Sequence, residues 1–88
     1  MQIKDGFRLR NLGREKIVVA EGAAQVDFNK MIVLNESAAY LWESLEGKEF
    51  EVEDIVNLLL ERYEVEESVA RADSEKIASD WKSAGLVQ

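Results

Sequence analysis

The segment MIVLNESAAYLWESLEG, residues 31–47, constrains the fold most, because four apolar residues run into an amphipathic helix without an intervening glycine or proline. Asn35 is a good N-cap, and Glu36 lies in the first turn, where the helix dipole favours a negative charge. One helical stripe contains Leu34, Ala38, Leu41, Trp42 and Leu45. The segment therefore predicts a short strand that leads directly into a helix ending at Gly47.

The residues before this segment favour strands. Residues 6–11 alternate, with Phe7 and Leu9 on one face and two arginines on the other. Gly13 supplies the permissive backbone of a turn, and residues 16–20 are rich in β-branched side chains. These features predict two strands joined by a short turn.

A second hairpin is predicted around Asn29 and Lys30. The segments QVDF and MIVL, residues 25–28 and 31–34, flank this pair. A two-residue connection that contains an asparagine is typical of a tight hairpin, because asparagine readily takes a positive φ. The sequence thus favours a small antiparallel sheet in its first third.

The second half of the chain predicts two further helices. The first has an apolar face made of Val52, Ile55, Val56, Leu59 and Tyr63, although Glu51 is a weak cap. The next begins near residue 66 or 67 and has an apolar stripe made of Ala70, Ile77, Trp81 and Ala84, which Ser74 interrupts. Gly85 ends this helix, and the apolar residues 86–87 are expected to fold back.

Strands followed by helices indicate the α+β class. We expect a single domain over residues 1–88, in which a small three-stranded antiparallel sheet packs on three helices. The last two helices, joined by a short connection, would form a helix-turn-helix, and the sheet would form its wing. The predicted architecture is therefore like a winged helix-turn-helix.

The composition argues against catalysis and metal binding. The 88 residues contain no histidine and no cysteine, so the commonest nucleophile–base pairs and zinc sites cannot be built. No apolar run approaches the roughly 20 residues that span a membrane, and the first residues have no signal-peptide pattern. We expect a non-catalytic, cytoplasmic protein with no cofactor, no metal and no membrane partner.

A basic hairpin raises the possibility of DNA binding. Four basic residues gather there: Arg8, Arg10, Arg14 and Lys16. The helix that would read DNA, residues 66–82, carries five acidic and three basic residues, and the net charge of the chain is −7. Phosphate binding requires the opposite sign. The aromatic residues Trp42, Tyr63 and Trp81 lie on apolar stripes, which favours core packing over base stacking, whereas Tyr40 lies off its stripe.

The chain resembles the PqqD family, named for protein D of pyrroloquinoline-quinone biosynthesis. The resemblance is carried, in order, by GFRLR, VDFNKMIVLNESAAYLWESLEG, VEDIVNLLLERYEVEESVARAD and GLV. It implies a winged-helix-like fold and the role of a RiPP recognition element. Such an element binds the leader segment of a ribosomally made, post-translationally modified peptide and presents the peptide to a modifying enzyme. That enzyme is often a radical S-adenosylmethionine enzyme.

The resemblance also implies a binding site, because in the family the leader adds as a strand beside the third strand and rests against the third helix. The corresponding residues are Lys30, Met31, Ile32, Val33, Leu34, Ser74, Ile77, Ala78 and Trp81. From the residues alone, the segment 30–34 is either a buried strand or an open sheet edge. An open edge admits a peptide strand or a second copy of the chain as a homodimer. An acidic winged-helix regulator that binds DNA or a transcription partner is the alternative function.

Overall fold

A computed structural model describes residues 1–20 and 32–88. The elements are β1 (Phe7–Leu12), β2 (Glu15–Ala20), β3 (Ile32–Leu34), α1 (Glu36–Leu45), α2 (Val52–Arg62) and α3 (Glu67–Ser83). The strands form an antiparallel sheet in the order β1-β2-β3. The predicted α+β class, with a winged-helix arrangement of three strands and three helices, is confirmed. The hairpin predicted at Asn29 and Lys30 lies outside the described residues.

The first hairpin forms where the alternation predicted it. Gly13 has a φ of +64°, a left-handed conformation that suits glycine, and Leu12 pairs with Glu15 on either side of the turn. Phe7 and Leu9 are half-buried and pack against the core, whereas the arginines between and after them are exposed. The alternating pattern therefore sets which face of β1 is covered.

A single capping residue connects β3 to α1. The Asn35 side-chain oxygen accepts a hydrogen bond from the Ala38 backbone N–H at 2.8 Å, as expected of an N-cap. Gly47, with a φ of +78°, follows the last residues of the helix. The stripe from Leu34 to Leu45 is buried along its length. The strand and helix are thus held together with no loop between them.

The helices α2 and α3 form the helix-turn-helix, and an ion pair joins them. The Glu51 backbone N–H donates to the Asp54 carboxylate at 2.8 Å, so Asp54 compensates for a weak N-cap. The Arg71 guanidinium lies 2.9 Å from the Glu53 carboxylate across the two helices. The hydrogen bond to Glu53 and the charge of that carboxylate raise the pKa of Arg71 above its ordinary value.

The core lies between the sheet and the three helices. Its fully buried side chains include Trp42, Leu41, Ile55 and Leu86. The predicted return of the apolar tail is confirmed, since Leu86 and Val87 are buried and the Leu86 carbonyl accepts a hydrogen bond from the Lys4 N–H at 2.8 Å. In the described ranges, no helix combines the length and the apolar character that crossing a lipid bilayer requires.

Candidate functional site

A groove of about 600 Å³ opens between β3 and α3, and we call it the β3–α3 groove. The strand contributes Ile32, Val33 and Leu34. The helix contributes Asp73, Lys76, Ile77, Asp80 and Trp81, and its C-cap residue Ala84 also lines the groove. The end of α2 and the residues that follow add Leu59, Tyr63 and Val65. Apolar side chains dominate the interior of this concave surface.

The strand β3 lies at one end of the sheet. It pairs with β2 alone among the described strands, in a register that sets Val33 opposite Ile17 and Leu34 opposite Lys16. Backbone N–H and C=O groups alternate between the two sides of a strand, so one set of them faces away from β2. Within residues 1–20 and 32–88 no further strand pairs with that side.

Side-chain exposure in β3 alternates as expected for a strand with one covered face. Leu34 is buried and Ile32 is half-buried against the core, whereas Val33 is 58% exposed. Because side chains point alternately to the two faces of a strand, Ile32 and Leu34 share the inner face. The inner face therefore supplies apolar contacts to the groove, and the open edge supplies backbone hydrogen-bonding groups.

The charged groups of the groove all lie on α3. The Lys76 ammonium is 3.2 Å from the Asp80 carboxylate, one helical turn further along. Asp73 is exposed, and its carboxylate makes no ion pair or hydrogen bond with any other residue in the described parts of the chain. In those parts there is also no cluster of three or more acidic side chains that could hold a metal ion.

A comparison with models of known protein families identifies the family of this chain. The family model described as "Coenzyme PQQ synthesis protein D (PqqD)" matches residues 14–87, which is most of the chain. The chain belongs to the PqqD family. The resemblance drawn from the sequence is thereby confirmed. A search of curated proteins finds no match to this PqqD-family chain.

The PqqD-family chain is similar in structure to TbiB1, solved as "TbiB1 in Complex with the TbiA(beta) Leader Peptide". The TM-score is 0.74, and the match covers 100% of this chain and 95% of that chain. The sequence identity is 19%. At this level of identity, the likeness shows that the two proteins share a fold.

The groove brings together five of the site residues that the resemblance implied: Ile32, Val33, Leu34, Ile77 and Trp81. Two others lie in the core and do not line the groove. Ala78 is 3% exposed, and Ser74 is fully buried with its hydroxyl donating to the Ala70 carbonyl at 2.6 Å. Lys30 and Met31 lie outside the described residues.

Sequence reasoning missed the contribution of the α2 end. Tyr63 was expected in the core, but it is half-buried and lines the groove. Its ring meets the Tyr40 ring edge to face at 6.4 Å, and the Arg62 guanidinium lies 4.9 Å above Tyr40. The ring contact with Tyr40 packs Tyr63 beside α1. Its position at the end of an apolar stripe was the available signal, because the last turn of a helix is covered only where a neighbour extends past it.

Sequence reasoning also did not predict that charged residues of α3 line the groove. Asp73 and Asp80 stand four residues before and three residues after Ile77, spacings that place them on the same side of the helix as Ile77. This periodicity was readable from the sequence. Its meaning was not, because an acidic helix face is ordinarily solvated and nothing in the sequence shows which face borders a groove.

Proposed function

We propose that this PqqD-family protein captures the leader segment of a ribosomally made precursor peptide as an added strand on β3. The observation that carries the proposal is the open side of β3 next to the β3–α3 groove. Main-chain hydrogen bonds along β3 would supply affinity, and alternate side chains of the peptide would enter the groove and supply selectivity. Family membership and the shared fold of TbiB1, which was solved with a leader peptide, support this proposal.

The proposed contact surface consists of residues 30–34 and the groove-facing side of α3. Ile77 and Trp81 would contact the apolar side chains of the peptide, together with Tyr63. Ser74 and Ala78 would act indirectly, since they are buried and pack α3 against the core. A strand joined to its helix by Asn35 alone is held rigidly, and a rigid template lowers the entropy lost when a flexible peptide docks.

We further propose that residues 1–88 act as one non-catalytic peptide-recognition domain. The support is a sequence with no histidine and no cysteine, the commonest residues of nucleophilic and acid–base catalysis. The domain would present the bound precursor to a separate modifying enzyme, for which a radical S-adenosylmethionine enzyme is the family-based candidate. It would act in the cytoplasm, and the absence of cysteine fits that reducing compartment.

A homodimer is the competing use of the same edge. A second copy paired through β3 would occupy the hydrogen-bonding groups that the leader needs. We therefore expect leader binding to dissociate any such dimer. The DNA-binding alternative is not retained, because the comparisons give it no support and α3 presents Asp73 and Asp80 beside the groove.

The experiment is a heteronuclear NMR titration of the ¹⁵N-labelled chain with the synthetic leader of the precursor encoded beside its gene. We expect shifts to concentrate in residues 30–34 and in residues 73–81. A scrambled leader of the same composition is the control, and it should shift these residues less. Shifts concentrated in residues 8–14 or 46–54 would contradict the proposal, even if the peptide binds.

A further inference from the structure

The charges along the groove are unevenly neutralised. Lys76 and Asp80 are paired at 3.2 Å, whereas Asp73 is a groove carboxylate that makes no ion pair in residues 1–20 and 32–88. Asp73 is exposed to solvent, so a ligand can reach it. A peptide that lies in the groove would partly desolvate this carboxylate, which is costly unless a cation or a donor accompanies it.

The groove-facing residues of α3 are spaced like the side chains on one face of an extended peptide. From Asp73 to Ala84 the groove follows the helix for about 16 Å at 1.5 Å per residue, a length that roughly five residues of a strand cover. Asp73 and Ile77 are one turn, about 6 Å, apart. Side chains on one face of a strand repeat every ~6.6 Å. A peptide that runs along α3 can therefore place two alternate side chains against Asp73 and Ile77 together.

From these observations we infer that the groove selects an extended peptide with a basic side chain two residues away from an apolar one. The basic side chain pairs with Asp73, and the apolar one packs on Ile77. The inference rests on the proposed function and specifies the chemistry of its ligand. The net charge of −7 acts in the same direction, because it attracts basic segments and accelerates their encounter with the protein.

The test starts from peptides that are not chosen in advance. A random library of 12-residue peptides, displayed on their encoding mRNA, is selected against the immobilised full chain. The enriched peptides are then synthesised with a fluorophore and measured by anisotropy. We expect enrichment of lysine or arginine two positions from a large apolar residue, and an affinity that falls as salt is added.

Substitutions of Asp73 test whether this residue contacts the basic side chain of the peptide. Asp73→Asn should weaken the enriched peptides by roughly two- to fivefold, the range of exposed ion pairs. Asp73→Lys should weaken them by about tenfold or more, because it places like charges together. A peptide with glutamate in place of its basic residue should bind Asp73→Lys better than the parent protein. Glu75→Gln is the matched control, since Glu75 is exposed on α3 outside the groove lining and its loss should change affinity by less than about twofold.

Two contrary outcomes separate this inference from the proposed function. Peptides that shift the NMR signals of Ile32–Leu34 and Ile77, but show no basic preference and no response to Asp73 variants, would overturn the inference and leave the proposed function standing. A selection that enriches no peptide, or only peptides that shift signals elsewhere, would overturn both. Thermal unfolding of each variant, followed by circular dichroism, shows whether a lost affinity comes from a lost fold.

Discussion

The indole rings of Trp42 and Trp81 meet edge to face, with their centroids 5.4 Å apart and their planes at 74°. Trp42 of α1 is fully buried, and its indole N–H finds no acceptor among the described residues. Trp81 of α3 is 4% exposed and also lines the β3–α3 groove. One aromatic contact therefore joins the centre of the core to the surface at which we propose that the peptide binds.

Removing either indole should destabilise the protein. We expect Trp42→Ala and Trp81→Ala each to lower the free energy of unfolding by about 3–5 kcal/mol, as large-to-small core substitutions do. Urea titration followed by circular dichroism measures the change. Trp42→Phe is the control. It should cost far less, because it keeps most of the ring volume and removes a buried N–H without a described acceptor. A loss below about 1 kcal/mol for Trp42→Ala would contradict the core assignment.

A charge placed at Ile77 should weaken peptide binding. Ile77 is half-buried and lines the groove, so Ile77→Asp replaces an apolar contact with a carboxylate. We expect the affinity for the leader to fall roughly tenfold or more. Val69→Asp is the matched control, because Val69 is 47% exposed on the same helix and outside the groove lining. Isothermal titration calorimetry on folded samples measures both, and equal losses would argue against the groove.

The open edge of β3 makes a prediction about amide exchange. Successive N–H groups point to opposite sides of a strand, so the amides of Ile32, Val33 and Leu34 alternate between β2 and the open edge. In the free protein, the edge-facing amides should exchange faster. Bound leader should slow them by about tenfold or more, because each gains a hydrogen bond. Exchange measured by NMR tests this. Tight binding without slowing would mean that the peptide docks through side chains alone.

The contribution of the α1 N-cap to the free energy of unfolding should be measurable separately from that of the core. Asn35→Ala removes the acceptor of the Ala38 N–H and should cost roughly 0.5–2 kcal/mol. Asn35→Asp keeps an acceptor and adds a charge that the helix dipole favours, so it should restore most of the stability. Urea titrations of the three proteins give the comparison. If the alanine and aspartate variants lose the same amount, the cap does not act through this hydrogen bond.

Local signals account for the parts of the fold that could be predicted. Asn35, Gly47 and Gly85 mark helix ends correctly, because capping and termination depend on residues within one turn of each other. The start of α2 was harder to predict, because Glu51 is a weak cap. Its partner Asp54 compensates by accepting a hydrogen bond from the Glu51 backbone N–H. For residues 30–34, the sequence left two interpretations open, a buried strand and an open sheet edge.

The sequence by itself determined the type of each described element and the apolar stripe that α1 buries, because both follow from the backbone repeats of 3.6 and 2 residues. The stripe predicted for α3 was wrong in part, since Ile77 is half-buried and Ala84 is exposed. Only the tertiary structure decided which surfaces stay uncovered. Ser74 and Ala78 share α3 with Ile77, yet the packing buries the first two and leaves the third beside the groove. Tyr63 reaches the groove from the C-cap of α2. Such contacts join residues far apart in the chain, and a local pattern carries no information about where distant elements meet.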